Sequence, residues 1–268
     1  MAGFDEEVTT LSKFRHPHLV TLQGWGRYDN FRYLVYEFLS GGDVFHRLLK
    51  CKKPNGVPFP WFERLSICLD AATGLSHMHN SKPKAFHRDI KSANILLDKH
   101  GTAKMADFGL SCTPKFSGAL HVTVRTISGT PGYACPIYSR TGRVTEGSEV
   151  YSFGMVQLEL LTGLAPATAD PTRPSGISYP VAEHVSPNSQ GALERCLQKL
   201  DQAAAWPTQL ATELSQLALR CVSSQDNASR PHFVEIVRAL RSMTERYPRP
   251  ARGMPPYFAA QAPQLPVQ

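Results

Sequence analysis

The fold is decided by the stretch His87-Arg88-Asp89-Ile90-Lys91-Ser92-Ala93-Asn94, which Asp107-Phe108-Gly109 follows thirteen residues beyond Asn94. The carboxylate of Asp89 can accept the hydrogen bond of an attacking hydroxyl, and Lys91 can neutralise charge on a moving phosphate. Asn94 and Asp107 offer the hard oxygen ligands that Mg²⁺ prefers. Any one of these residues alone would be typical of a polar turn. Together, at this spacing, they indicate a site for phosphoryl transfer.

The two motifs resemble the catalytic loop and the metal-binding loop of the eukaryotic protein-kinase family. The resemblance implies that Asp89, Lys91 and Asn94 are catalytic, and that Asn94 and Asp107 hold a metal ion. It implies ATP and Mg²⁺ as cofactors. It also implies a two-lobed α+β fold, with a complete helical large lobe and a small lobe that is truncated in this sequence.

Other parts of the chain, up to about residue 245, resemble further landmarks of the family. Glu7 lies ten residues before the proline of an Arg-His-Pro-His-Leu-Val string and is similar to the glutamate of the family's C-helix. The string Leu-Val-Tyr-Glu-Phe at 34–38 resembles the hinge that borders the adenine, with its tyrosine guarding the back pocket. The resemblance therefore implies nucleotide contacts at Tyr36, Glu37, Phe38 and Leu96.

Three later landmarks complete the resemblance. Gly129–Tyr133 resembles the loop that holds the substrate, with Thr130 expected to contact Asp89 and the catalytic lysine. Residues 152–163 look like the central helix of the large lobe. Arg230-Pro231 opens the last helix where the family pattern has it.

The particular residues in these motifs resemble those of one subgroup of the family. A tyrosine at the hinge entrance, Lys91 two residues after Asp89, and the Gly-Thr-Pro-Gly-Tyr loop are similar to tyrosine-kinase-like serine/threonine kinases. Within that subgroup, the sequence most resembles plant receptor-like kinases and interleukin-receptor-associated kinases. Tyrosine kinases of the family place a different string after the catalytic aspartate, so a protein substrate with a Ser or Thr acceptor is expected.

Arg88 directly precedes Asp89, and in the family an arginine here commonly marks kinases that are switched on by phosphorylation of the activation segment. A guanidinium beside the catalytic loop needs an anion, and a phosphate offers a bidentate one. Thr123, Thr126 and Ser128 are candidates to carry that phosphate. The alternative, a polar loop without modification, stays open. An upstream activating kinase is therefore a candidate partner.

Three features depart from the family pattern. Nothing before Phe4 supplies a glycine-rich phosphate loop or the ATP-anchoring lysine, so Glu7 is expected to be the orphan of a pair. Ile137 stands where the family has a glutamate that pairs with Arg230, which must then reach water or another acceptor. Glu149 replaces an aspartate that ties down the catalytic loop and is one methylene longer.

Two functions from different classes stay open on the sequence. The first is an ATP- and Mg²⁺-dependent serine/threonine kinase whose sequence here is a fragment. The second is a catalytically weak pseudokinase that acts as a scaffold or binding module. An antibiotic or small-molecule phosphotransferase fits less well, because it lacks both the loop at Gly129–Tyr133 and the helix at Arg230. In either case we expect the chain as given to transfer phosphate poorly or not at all.

Composition argues against several other classes. The 268 residues carry a net charge of +7, but no basic stripe is interleaved with aromatic side chains, so nucleic acid is not an expected partner. Six cysteines without a C-x-x-C pair argue against a zinc site or disulfide framework and favour a reducing compartment. No apolar run approaches ~18 residues, so no transmembrane segment is expected. We expect a cytoplasmic protein, or the intracellular part of a longer membrane receptor.

Hydrophobic periodicity predicts helices and strands in the expected order. The predicted helices include 4–14, 60–79 and 148–163, and the predicted strands are 19–26 and 31–38. Two further helices close the fold, the second beginning at Pro231. We expect three regions: a truncated small lobe with the C-helix and two strands at 1–38, the large lobe at 39–245, and a disordered tail at 246–268.

Overall fold

The computed structural model of the protein describes residues 3–114, 116, 118–223 and 228–250. Its elements follow one another as α1 (Phe4–Lys13), β1 (Leu22–Tyr28), β2 (Phe31–Tyr36), β3 (Gly42–Asp43), α2 (Val44–Cys51), α3 (Trp61–Asn80), β4 (Ile95–Leu97), β5 (Ala103–Met105), β6 (His121–Thr123), α4 (Pro136–Thr141), β7 (Arg143–Thr145), α5 (Glu146–Thr162), β8 (Thr168–Ala169), β9 (Ile177–Ser178), α6 (Pro180–His184), α7 (Ala192–Gln198), α8 (Thr208–Cys221) and α9 (Phe233–Arg246).

The small lobe consists of α1 and the antiparallel hairpin of β1 and β2. Asp29 makes the turn with a φ of 50°, a left-handed conformation that Asp and Asn tolerate better than most residues. One face of the hairpin packs on α1, where the ring of Trp25 meets Phe4 edge to face at 6.1 Å. Arg27 stacks over both rings and pairs with Asp5. The predicted helix and two strands are therefore confirmed.

The opposite face of the hairpin is apolar and exposed. Tyr28, Phe31, Tyr33 and Val35 alternate along the two strands and each keeps half or more of its surface accessible. A two-stranded sheet is marginally stable at best, and an open strand edge promotes pairing with other chains. This lobe should therefore be the least stable part of the described fold.

Amide hydrogen exchange should reveal that difference. We expect amides of residues 4–38 to exchange through low-energy local opening, while those of α3 and α5 exchange only near the global unfolding free energy. The physical reason is the contrast between a half-exposed hairpin and helices buried on most sides. Equal protection factors in the two regions would contradict the expectation.

The large lobe is organised around α3 and α5. Thr145 caps α5, with its hydroxyl accepting from the Ser148 amide at 3.0 Å, and Gly163 ends the helix with a φ of 67°. Helix α9 packs along α3, and α8 packs along α5. The core between them is continuous with the buried side chains of α1 and the following loop, including Leu11 and Leu19.

A small antiparallel sheet of β3, β4 and β5, called the support sheet below, flanks the 87–94 segment, which is the predicted catalytic loop. Strand β4 pairs with β3 on one side and β5 on the other, with Ile95 opposite Met105 and Leu96 opposite Lys104. Phe86 bridges to Cys112, so the loop between Phe86 and β4 starts and ends on fixed backbone. The sheet therefore presents the loop and the segment after β5 side by side.

The last helix differs from the prediction in the residue at which it begins. The last helix begins at Phe233 rather than Pro231, because His232 and Glu235 form the capping interaction, with the His232 amide donating to Glu235 at 2.8 Å. The Pro-rich stretch 165–190 contains the short β8–β9 pair and α6. Residues 251–268 of the predicted tail lie outside the described residues. Within the described ranges, no helix combines the length and the apolar character needed to cross a membrane.

Candidate active site

Asp89 lies at the centre of a convergent set of side chains. Thr130 donates its hydroxyl to Oδ1 at 2.7 Å, and Lys91 Nζ lies 2.7 Å from Oδ2. Lys91 also donates to Thr130 at 3.0 Å, which closes a triangle of three polar groups. Asn94 donates its amide to Oδ2 at 3.1 Å and to the Asp89 carbonyl at 2.9 Å. The predicted contact of Thr130 with Asp89 and Lys91 is therefore present.

The surroundings of Asp89 keep it ionised. Burial acts to raise the pKa of its carboxyl, but the hydrogen bonds from Lys91 and Thr130 outweigh burial and hold the pKa below its usual value. An ionised carboxylate at neutral pH can accept a hydroxyl hydrogen bond and orient it. Asp89 is therefore suited to align a hydroxyl nucleophile and is a weak base by itself.

Glu149 on α5 fixes the backbone of the catalytic loop. Its Oε2 accepts from the His87 amide and from His79 Nε2, each at 2.9 Å, and its Oε1 accepts from the Arg88 amide at 2.5 Å. Arg88 has a φ of 71°, so this carboxylate anchors a strained left-handed residue. Burial acts to raise the pKa of Glu149, but the His79 hydrogen bond and the nearby histidines lower it overall. The extra methylene does not prevent the anchoring role that the family gives to an aspartate.

Asp107 and Phe108 follow β5, with Ala106 between the strand and Asp107. Asp107 is exposed and has a φ of 63°. Phe108 is fully buried beside the His87 ring, 4.8 Å between centroids, and His87 Nε2 is 3.0 Å from the Ala106 carbonyl. Burial of the phenylalanine thus turns the neighbouring carboxylate outward.

Glu7 is not the orphan that the sequence suggested. It is buried, and its Oε1 accepts from the Tyr36 hydroxyl at 2.5 Å and from the Phe108 amide at 3.2 Å. Thr10, one turn further along α1, shares a buried 2.7 Å hydrogen bond with Ser111. Gly3 at the start of α1 lies against Gly109, where an added Cβ would come within 2.8 Å of the Gly109 carbonyl. Helix α1 and its N-cap residue therefore contact the 107–111 segment at three positions along the helix.

The predicted nucleotide-contacting residues divide into two groups. Tyr36 and Leu96 are half-buried, and burial together with Glu7 raises the pKa of the Tyr36 phenol. Phe38 is 91% exposed. The Glu37 carboxylate turns away to Lys104, with both oxygens 2.8 Å from Nζ, so a nucleotide contact by Glu37 would use its backbone.

Arg88 joins the catalytic loop to the segment that follows Asp107. Its guanidinium donates to the Leu110 carbonyl at 2.9 Å and to the Thr126 carbonyl and the Tyr138 hydroxyl at 3.2 Å. Tyr138 in turn accepts from the Ser128 amide at 3.1 Å and donates to the Ser128 carbonyl at 2.9 Å. The backbone of Thr126, one predicted phosphorylation site, is therefore bound directly to Arg88. The backbone of Ser128, a second one, is bound to Arg88 through Tyr138.

Arg230 reaches acceptors within the protein in place of the family's glutamate. It is buried, with Nε donating to the Ser223 carbonyl at 2.8 Å and Nη1 donating to the Gly147 carbonyl at 2.7 Å. Nη1 also lies 3.1 Å from the Cys135 sulfur, and the guanidinium is 5.0 Å from the centre of the Tyr151 ring. With isoleucine at position 137, Arg230 was expected to reach either water or another acceptor, and the structure shows other acceptors.

Glu159 is a site residue that sequence reasoning missed. It is buried in α5 and accepts from Ser92 at 2.9 Å and from Tyr133 at 2.7 Å, so it links the catalytic loop to the Gly129–Tyr133 loop. Burial raises the pKa of Glu159 to about 7 even though both hydroxyls act in the opposite direction. A carboxyl placed mid-helix in an apolar run was the signal that could have drawn attention to it.

Replacing Glu159 by glutamine should remove a pH-dependent loss of stability. The folded-state pKa is higher than the ordinary value, so ionisation of Glu159 costs stability as pH rises from about 4.5 to about 7. Above that window the cost reaches roughly 3 kcal/mol at most. Thermal melts of Glu159→Gln and the parent should therefore diverge in favour of the variant between pH 5 and pH 8. A difference in melting temperature that stays constant over this range would contradict the assignment.

The donor set suits a divalent ion that is shared with phosphate. Among the described residues, no group of three or more His, Cys, Asp and Glu side chains could hold a metal by itself. The outward carboxylate of Asp107 and the amide oxygen of Asn94 match an ion that takes its remaining ligands from water and substrate phosphates. Protein kinase domains in general use ATP together with divalent ions in this way.

Comparison with known proteins gives a consistent family. A family model described as protein kinase domain matches residues 2–240. The serine/threonine-protein kinase PBL35 of Arabidopsis thaliana is 38% identical over 240 residues, which are 88% of this chain and 47% of PBL35. The serine/threonine-protein kinase BIK1 of the same plant is 34% identical over 251 residues, 93% of this chain and 62% of BIK1.

A rice relative agrees with these matches. Receptor-like cytoplasmic kinase 176 of Oryza sativa subsp. japonica is 36% identical over 241 residues, which are 89% of this chain and 59% of that protein. The chain thus spans about half to three-fifths of the length of these relatives. Because the family model covers most of the chain, and because its motifs meet in one site as the family requires, the chain belongs to the protein kinase domain family.

Proposed function

We propose that the chain is a serine/threonine protein kinase domain that transfers the γ-phosphate of ATP to protein hydroxyls. The observation that supports this most is the triangle of Asp89, Lys91 and Thr130, in which an ionised carboxylate and a cation converge on the substrate loop. Such an arrangement can orient a hydroxyl and neutralise charge on a transferred phosphoryl group. This charge arrangement favours an active kinase domain over the alternative, a pseudokinase that acts as a scaffold.

Each residue would then have a defined role. Asp89 accepts the hydrogen bond of the substrate hydroxyl and orients the hydroxyl oxygen toward the phosphorus of the γ-phosphate. Lys91 supplies positive charge to the phosphoryl oxygens, and Thr130 keeps both side chains in register with the bound peptide. Asn94 and Asp107 would hold Mg²⁺, which supplies charge neutralisation on the phosphates when bound. Glu149 keeps the loop backbone in place.

The nucleotide would lie between the hinge and the support sheet. Leu96 would form the floor under the adenine, and the backbone near Glu37 and Phe38 would give polar contacts. The Tyr36 side chain, held by Glu7, would close the rear of the cleft. The half-buried state of Tyr36 and Leu96 supports this placement, since both would lose further surface against a bound ring.

The substrate would be a polypeptide that lies along a groove beside Thr130. This groove has a volume of about 480 Å³ and runs from Gly129 to α6. Its walls include Ile127, Pro131, Met155 and Pro166, and among the described residues that line it none carries a charge. A Ser or Thr acceptor flanked by an apolar side chain fits such walls better than one flanked by charge.

Location and control are further parts of the proposal. One relative is named a receptor-like cytoplasmic kinase, and we infer a cytoplasmic site of action for this chain as well. An upstream kinase that phosphorylates Thr123, Thr126 or Ser128 is the proposed activator. A phosphate there would compete with the Thr126 carbonyl and the Tyr138 hydroxyl for Arg88.

Binding of ATP with and without Mg²⁺ tests the cofactor assignment. Calorimetric titration should show that Mg²⁺ strengthens ATP binding by about tenfold or more, because the ion joins the phosphates to the protein. Asp107→Asn should abolish this strengthening by Mg²⁺. Asp29→Asn changes a carboxylate in an exposed hairpin turn and should behave like the parent. If the ATP affinity of the parent is the same with and without Mg²⁺, the result contradicts the proposed site.

A further inference from the structure

Lys104 and Glu37 form an ion pair that connects the two lobes beside the proposed nucleotide cleft. Lys104 Nζ lies 2.8 Å from both carboxylate oxygens of Glu37, and the two side chains are only 16% and 24% exposed. Glu37 also accepts from the Thr21 amide at 2.8 Å, while its own amide donates to the Thr21 carbonyl at 3.1 Å. The carboxylate therefore accepts three hydrogen bonds from two donors, the Lys104 ammonium and the Thr21 amide.

The register of the support sheet gives this pair a position. Lys104 on β5 lies directly opposite Leu96 on β4, and opposed residues of an antiparallel pair project to the same face. Glu37 follows directly after the last residue of β2, at the start of the hinge. The ion pair therefore connects the face of the support sheet that carries Leu96 to the start of the hinge.

We propose that Lys104 and Glu37 are a positioning pair that sets the distance between the hinge and the floor of the nucleotide site. The two side chains would fix the height of the cleft at its adenine end without touching the nucleotide, which would contact only the backbone of Glu37. This inference rests on the proposed function for the identity of the ligand. The connection between hinge and sheet is a separate claim that can be tested without any ligand.

The immediate surroundings distinguish this pair from an ordinary surface ion pair. Exposed pairs contribute little because water screens them and long side chains lose entropy. Here both side chains are mostly buried, and the carboxylate has a second, backbone anchor at Thr21. Burial acts to raise the pKa of Glu37, but the Lys104 and Thr21 hydrogen bonds lower it overall, so the carboxylate stays ionised at neutral pH.

The test uses amide exchange and ligand binding on the full chain. The variants are Lys104→Met, Glu37→Gln, the doubly substituted chain, and Lys99→Met as the control, since Lys99 is an exposed lysine on the β4–β5 turn. We expect the Thr21 and Glu37 amides to exchange about tenfold faster in Lys104→Met, with no change at Leu160 in α5. The double substitution should add little to either single one, because both remove the same contact.

Binding separates a positioning role from general loosening. In Lys104→Met, ADP should bind about five- to twentyfold more weakly, whereas inorganic tripolyphosphate with Mg²⁺ should bind as it does to the parent. Lys99→Met should match the parent for both ligands. Equal weakening of both ligands, or unchanged ADP affinity and unchanged exchange at Thr21 and Glu37, would overturn the proposal. If the parent chain binds no ADP, the proposed function fails, and the exchange measurement still decides whether the pair holds the hinge.

Discussion

Replacing Asp89 by asparagine is expected to lower the rate of phosphate transfer to serine and threonine by about 10³-fold. The amide keeps the shape of the side chain but removes the charge that accepts the substrate hydroxyl. It also places an NH₂ group against Lys91 or Thr130, both of which donate to the carboxylate in the structure. A radiolabelled transfer assay with a protein acceptor measures the effect.

The parent rate in that assay should itself be low. Kinases turn over at roughly 1–100 s⁻¹, and the loss of one preorganised electrostatic contact costs about 10²–10³. No glycine-rich loop or ATP-anchoring lysine is present in the 268 residues, so we expect the parent to fall well below about 1 s⁻¹. Asp29→Asn is the matched control, with an unchanged rate. An Asp89→Asn chain as active as the parent would remove Asp89 from its proposed role.

Replacing Glu149 by glutamine is expected to be the most destabilising conservative change in the large lobe. The carboxylate accepts from two backbone amides and from His79, and all of these donors are buried or half-buried. Glutamine can offer only one acceptor oxygen, and its NH₂ group would meet a donor. Breaking a buried charged network of this kind costs about 3–5 kcal/mol. Denaturant unfolding of the two chains gives the difference directly.

The shorter aspartate at position 149 provides a second, informative variant. If the local backbone has adapted to the extra methylene, Glu149→Asp should also destabilise, by about 1–3 kcal/mol, because hydrogen bonds are lost to distance. Glu245→Gln, an exposed change on α9, should stay within about 0.5 kcal/mol of the parent. A Glu149→Gln chain as stable as that control would show that the loop is anchored elsewhere.

Local patterns predicted the elements that have strong periodicity. The helices α3 and α5 lie within one or two residues of their predicted bounds, because long apolar stripes and a terminal glycine mark them. Strands β8 and β9 were missed, since two residues are too few to show any alternation. The division into regions 1–38, 39–245 and 246–268 stays a prediction.

Contacts between distant segments were the part that sequence could not supply. Glu7 was expected to lack a partner, because the family's lysine was taken as the only candidate. Its partner is Tyr36, 29 residues away, and no spacing rule connects a helix residue to a strand end in another element. Glu159 and Lys104 were overlooked for the same reason, since their partners Tyr133 and Glu37 become neighbours only in the folded chain.

The identity of the amino acid that receives the phosphate is the most direct test of the proposed activity. Protein acceptor incubated with the parent chain, Mg²⁺ and γ-labelled ATP should be hydrolysed and its phosphoamino acids separated. We expect label on phosphoserine and phosphothreonine, present with Mg²⁺ and reduced to background in the Asp89→Asn chain. Label confined to phosphotyrosine, or label that persists undiminished in the Asp89→Asn chain, would contradict the proposed activity.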